Sequence, residues 1–284
     1  MADLTHREAV VNGVRLHYVE AGDGPPVLLL HGFPQFWYCW RHQIPALAAA
    51  GFRALAPDLR GYNLSERPPA VGDYRIEKLV DDVAGLIRHA GRERAIIIGH
   101  GWGGAVAWAV AMRCPELVKR LVVINAPHPA AFTRELRTAV QLRRSWYIFF
   151  FQLPWLPESL VRRGNFAGLE QTFRHDPVRP GTFTEEDIRL YKEALARPGA
   201  LTAMLNWYRA LGRRGLRSRD IRPITAPTLL VWGERDRYLG PRLSEGIEQW
   251  VPNLRVERLP DASHWVPEEW PQRVNRLLIE FLQS

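Results

Sequence analysis

Four short apolar runs punctuate the chain, and each stops at a glycine or a polar residue: Val27 to Leu30 before His31-Gly32, Ala95 to Ile98 before Gly99, Leu121 to Ile124 before Asn125, and Thr228 to Trp232 before Gly233. Runs that are apolar throughout, rather than alternating, suit strands of a parallel sheet covered on both faces. Helical patterns separate them over Ile76 to Ala90, Gly103 to Met112 and Arg242 to Trp250. Strands alternating with helices predict an α/β fold with a mostly parallel central sheet flanked by helices. Such sheets bind ligands beyond the carboxyl ends of their strands, so chemistry is to be sought just after each run.

The alternation fails between Ala131 and Arg217, which has no convincing buried strand and is broken by Pro154, Pro157, Pro177, Pro180 and Pro198. This predicts a helical cap at residues 131–218 inserted into a core made of residues 1–130 and 219–284. The cap holds 15 basic and 8 acidic residues, so it carries +7 of the chain's formal +8 and leaves the core near neutral. It also holds 13 of the 30 aromatic residues.

Composition narrows the class. A chain of 284 residues with 46% hydrophobic residues can bury a sizeable core, which excludes disorder and a disulfide-held miniprotein. No apolar run approaches about 18 residues, and Met-Ala-Asp-Leu-Thr-His-Arg-Glu lacks a signal-peptide pattern. No membrane span and a cytoplasmic location are expected. Cys39 and Cys114 allow at most one disulfide, and their apolar neighbours suit small buried thiols. The basic side is 35 Arg against 3 Lys, interspersed with acids and never gathered into a basic run, so no nucleic-acid partner is expected. The nine His show no HExxH pattern and the two Cys stand far apart, so neither a metal nor a cofactor is expected.

The strongest local signal is Ile96-Ile97-Ile98-Gly99-His100-Gly101-Trp102-Gly103-Gly104: a strand, a turn of small residues, then a helix. That is the setting of a nucleophile elbow, which holds one reactive side chain on a strained turn while flanking glycines allow close packing. The central residue is Gly101, which offers no nucleophile. Phosphate binding is the competing use of a glycine-rich turn; the bulky His100 and Trp102 and the lack of a Lys-Ser/Thr pair disfavour it. In a hydrolase built on an elbow, the loop His31-Gly32-Phe33-Pro34 would supply one oxyanion-hole N–H from Phe33, and Trp102 the other. Further on, Asp236 follows the Leu230-Val231-Trp232 run and His264 follows Leu259. The order elbow, acid, histidine is the hydrolase order, and it favours His264 as a base oriented by Asp236.

With these residues in place the chain resembles the soluble-type epoxide hydrolases of the α/β-hydrolase fold, from about Val11 to Phe281. The resemblance rests on His31-Gly-Phe-Pro-Gln-Phe-Trp-Tyr-Cys-Trp, Ala56-Pro-Asp-Leu-Arg-Gly-Tyr, the elbow, Trp146-Tyr-Ile-Phe-Phe-Phe-Gln, Leu205-Asn-Trp-Tyr-Arg and Ala262-Ser-His-Trp. It implies that Tyr147 and Tyr208 of the cap hydrogen-bond an epoxide oxygen while a carboxylate at position 101 attacks a ring carbon. His264, oriented by Asp236, then activates water to hydrolyse the ester, and the product is a vicinal diol. The aromatic cap suggests an apolar epoxide, an aromatic one included, with Trp146, Phe150, Trp207 and Trp265 contacting it. The chain departs from the pattern at the first step, because Gly101 stands where the family has Asp. Three accounts fit: a substitution that stops turnover in an Asp enzyme, a natural homologue whose His264 and Asp236 activate water or a substrate hydroxyl directly, or a non-catalytic binding protein on this scaffold. A glycine also relieves elbow strain, so Gly101→Asp is expected to lower the melting temperature slightly.

Overall fold

The computed structural model describes residues 4–214 and 221–284. Eight strands form one sheet: β1 (Thr5–Val11), β2 (Val14–Ala21), β3 (Pro26–Leu30), β4 (Arg53–Pro57), β5 (Ala95–His100), β6 (Val118–Ile124), β7 (Thr228–Gly233) and β8 (Leu254–Leu259). Their spatial order is β1-β2-β4-β3-β5-β6-β7-β8. The β1–β2 and β2–β4 pairs are antiparallel and the remaining pairs are parallel. The four apolar runs are β3, β5, β6 and β7. Every residue of β3, β5 and β7 is buried, as a sheet sandwiched between helices requires.

The flanking helices are α1 (Gln43–Ala49), α2 (Ile76–His89) and α3 (Trp102–Arg113), with α10 (Val266–Glu269) and α11 (Pro271–Gln283) near the C-terminus. Ile97, Val106, Trp108, Val110 and Val123 pack in one core layer, and Val27, Ile96, Ile98, Leu278 and Phe281 in the other. The alternating faces of the strands thus feed two separate cores.

One predicted helix is corrected. Residues 242–250 form a short 3₁₀ turn, Pro241–Ser244, followed by irregular backbone. Gly246 takes φ +68° with the Arg134 guanidinium against it, which breaks a helical run at its middle. The two cysteines are free, Cys39 buried and Cys114 half-buried.

Between β6 and β7 the chain forms α4 (Pro129–Glu135), α5 (Ala139–Arg144), α6 (Trp146–Phe150), α7 (Leu156–His175), α8 (Glu185–Ala196) and α9 (Ala200–Arg214). The predicted cap end at 218/219 lies outside the described residues. This helical segment is fastened to the core by a buried polar cluster. Asp187 and Tyr191 of α8 meet Tyr38, Arg41, Gln35 and Glu268. Arg41 pairs with both Asp187 and Glu268, and the Tyr191 hydroxyl donates to Glu268 Oε1 at 2.6 Å. Burial pushes the Glu268 carboxyl up to about 7, although Arg41 and the Tyr191 hydroxyl pull the other way.

Candidate active site

Gly101 sits between β5 and α3 at φ 54°, ψ −120°. Its neighbours explain why. A Cβ on Gly99, Gly103 or Gly104 would fall within 3.0 Å of Gly103 backbone, Leu30 backbone or the Ala126 side chain respectively, so these glycines let the turn close onto β3 and β6. Gly101 differs in kind. The nearest atoms to a Cβ there would be Gly32 Cα and His264 Nε2, each at 3.5 Å, which is ordinary contact. The position has space for a side chain, and that side chain would face the imidazole.

His264 follows β8. Its Nδ1 lies 2.6 Å from Asp236 Oδ2, which leaves Nε2 on the side of Gly101. The carboxylate of Asp236 is fully committed. Oδ2 also accepts from Asn125 Nδ2 at 2.8 Å, and Oδ1 accepts from the backbone N–H groups of Tyr238 at 2.7 Å and Leu239 at 2.9 Å. Burial would raise this carboxyl, but His264 beside it, the Asn125 amide and the Leu239 N–H outweigh burial and hold it below the usual carboxylate range. The His264 backbone is held as well, by His100 Nε2 at 2.8 Å from its carbonyl oxygen. Burial, reinforced by His264, pushes the His100 ring down to about 3, so it is a neutral Nε2–H donor at ordinary pH.

Asn125 is a residue the pattern of the sequence did not single out beyond its place at the end of β6. It takes φ +43°, and its Oδ1 accepts from the Gly233 N–H at 2.9 Å while Nδ2 reaches Asp236. It therefore ties the end of β6 to the loop that carries the acid. A polar residue at the carboxyl end of a buried strand was the available signal.

Tyr147 on α6 and Tyr208 on α9 reach the same cavity as Gly101 and His264, with their rings 5.9 Å apart and near perpendicular. Tyr208 packs edge-on against Trp102 and Phe33, and Tyr147 against Tyr238. Burial, with Asp236 adding to it at Tyr147 and Tyr147 adding to it at Tyr208, raises both phenols far above their ordinary range, so both remain protonated donors. Their relative position is fixed through Gln152, whose Nε2 donates to the carbonyls of Ile148 at 3.0 Å and Tyr208 at 2.8 Å. Arg209 adds bonds to the Phe151 and Leu153 carbonyls and an ion pair with Glu158.

The cavity has a volume of about 450 Å³ and runs from Gly101 along α3 past Ala105, Ala109 and Met112. Phe33 and Trp102 line it beside Gly101. Of the four aromatic residues expected to contact substrate, Trp207 lines the cavity, its Nε1 donating to the Arg60 carbonyl at 3.0 Å. The other three are corrected. Trp146 points outward and is 61% exposed, and Phe150 packs against it, half-buried. Phe151, one residue on, is the ring that packs against Phe33, Tyr147 and Tyr208. Trp265 lies behind the His264 ring, in a cluster with Phe173, Phe183 and Tyr191.

The model of the alpha/beta hydrolase fold family matches residues 25–271. The chain is 46% identical to an AB hydrolase superfamily protein, YfhM, of Bacillus subtilis (strain 168), over 96% of both chains. It is 38% identical to epoxide hydrolase 4 of Homo sapiens, over 96% of this chain and 77% of the relative. Among solved structures it is similar to a variant of an epoxide hydrolase from Bacillus megaterium complexed with its product, (R)-3-[1]naphthyloxy-propane-1,2-diol, with TM-score 0.90, 37% identity, and 98% and 100% of the two chains covered.

Proposed function

The chain belongs to the epoxide hydrolase family of the alpha/beta hydrolase fold, and we propose that its cavity binds an apolar, aryl-bearing epoxide posed for ring opening, with Gly101 withholding the attacking carboxylate. What supports this is the space at position 101 and the groups that border it. A Cβ on Gly101 would clear its surroundings and face His264 Nε2, with both phenols lining the same space.

Tyr147 and Tyr208 donate to the ring oxygen and stabilise the charge that develops as the carbon–oxygen bond breaks. With Asp at 101, a carboxylate oxygen bonds to the ring carbon, the ring oxygen takes a phenol proton, and an ester remains. His264 then takes a proton from water, whose oxygen attacks the ester carbonyl while the Phe33 and Trp102 N–H groups hold the oxyanion; the ester carbon–oxygen bond breaks, the departing diol oxygen takes the proton from His264, and the proton of the regenerated carboxyl restores the phenol. With glycine at 101 the remaining route is direct. His264 Nε2, facing that position, takes the proton of a water that attacks the ring carbon itself, and a phenol proton goes to the ring oxygen. The naphthyloxy diol of the Bacillus megaterium relative supports an aryl arm for the substrate.

The test compares the chain with its Gly101→Asp variant on styrene oxide and a naphthyl glycidyl ether. Diol formation should rise about 10³-fold or more in the variant. In oxygen-18 water, a single turnover should label the diol made by the chain as it stands. In the variant the label should enter the introduced carboxylate first and reach the diol only in later turnovers. Epoxide binding with no diol from either protein would make this a ligand-binding member of the family and refute the proposal.

A further inference from the structure

Of the ten large apolar side chains exposed among the described residues, seven fall between Val140 and Leu160, a stretch under a tenth of the chain: Val140, Leu142, Trp146, Phe149, Leu153, Trp155 and Leu160. Trp155 is 73% exposed and is held out by a backbone at φ +48°, a conformation that disfavours a bulky side chain. Trp146, Phe149 and Leu153 follow helical spacing, so they share the outer side of α6 and of the turn after it, while Tyr147 on the same helix faces the cavity. A soluble surface rarely gathers apolar side chains in this way without a use for them.

Along this stretch of the chain the charge is almost all of one sign. Between Leu136 and Leu169 the chain has five arginines, at 137, 143, 144, 162 and 163, and one carboxylate, Glu158, which is taken by Arg209. Arg137, Arg143, Arg162 and Arg163 are exposed, and none of them pairs with a carboxylate of the described residues. Indole rings and arginines flanking aliphatic side chains suit the boundary between headgroups and acyl chains, where the rings sit at the interface and the guanidinium groups meet phosphates. A second copy of the chain suits the patch less well, because a two-fold contact would set these arginines against their own counterparts. No helix among the described residues is long and apolar enough to cross a membrane.

We propose that this face of the cap, centred on Trp146 and Trp155 and rimmed by Arg143 and Arg162, docks reversibly on the surface of a bilayer that carries anionic lipid. Docking lays α6 along the interface, and the wall of the cavity that carries Tyr147 then lies one helix thickness from the acyl chains.

The full chain is tested by co-sedimentation with vesicles of phosphatidylcholine alone and of phosphatidylcholine with about 30% phosphatidylglycerol, at about 0.1 M and about 0.5 M salt. Binding to the anionic vesicles with a blue shift of indole emission is expected, weakened about tenfold or more at high salt or by Arg143→Glu with Arg162→Glu. Trp146→Ser with Trp155→Ser should weaken binding by a similar factor and leave the circular dichroism and melting temperature unchanged, since both rings lie on the surface. Equal binding to both vesicle types, or binding that neither double variant alters, would overturn the proposal. So would a dimer that the Trp variant dissociates while vesicles are not bound, because the patch would then be an interface between copies.

Discussion

The two halves of the site are held in place by different means. At the Asp236–His264 end both carboxylate oxygens are specified: Asp236 accepts from His264, Asn125, Tyr238 and Leu239, and His264 is held again through its own carbonyl. At the elbow, Gly101 has no side chain to hold, and its conformation follows from how closely Gly99, Gly103 and Gly104 let the turn approach β3 and β6. The elbow is thus shaped by its neighbours. Position 101 can be exchanged without taking the site apart, whereas Asp236 and His264 cannot lose a partner unnoticed.

Neutralising the acid should do the most damage. In the Gly101→Asp background, Asp236→Asn should lower diol formation about 10⁴-fold, because an amide at Oδ2 favours the wrong imidazole tautomer; kinetics with an aryl epoxide measure it. On the elbow side the matching lesion is Gly103→Ala. Its Cβ falls within 3.0 Å of Leu30 backbone, so a stability loss of about 3 kcal/mol or more should appear in urea unfolding. Tyr147→Phe or Tyr208→Phe in the Gly101→Asp background should each cost about 10²-fold in kcat/KM with little change in melting temperature, since each removes one donor to the ring oxygen.

Glu268 gives a pH test of the junction between the helical segment and the sheet layers. Its folded pKa is about 7 against 4.5 for an ordinary glutamate, so the folded chain retains a proton that the unfolded chain releases. The stability this contributes is fully present below about 4.5 and is lost as the pH rises through about 7, a change on the order of 3 kcal/mol. Glu268→Gln should flatten melting temperature against pH over that window. The smallest effect belongs to the elbow: Gly101→Asp should raise activity while lowering stability by about 1 kcal/mol, a few degrees at most, because a residue with a Cβ is strained at φ +54°.

Legibility in the sequence followed burial. β3, β5, β6 and β7 could be read because both faces are covered, which forces long apolar runs. β1 and β2 could not, since the outer hairpin mixes His6, Arg7, Glu8 and Arg15 with its buried residues. The pairing of His264 with Asp236 was readable from polar residues after such runs. Direction within the helical segment was not: in Phe149-Phe150-Phe151 one ring is exposed, one is half-buried and one is enclosed by the tyrosines, and composition is blind to that register. Asn125 escaped for a related reason, because its partner stands 111 residues away on the far side of the helical segment.

Asn125 and Asp236 clasp the carboxyl ends of two neighbouring parallel strands, β6 and β7, so the helical segment, with β7 behind it, forms a loop closed at one fixed clasp. Closing a loop costs only slightly more as the loop grows. Segments of other lengths and shapes could therefore hang from the same clasp, changing what is admitted to the cavity while Asp236 and His264 keep their geometry.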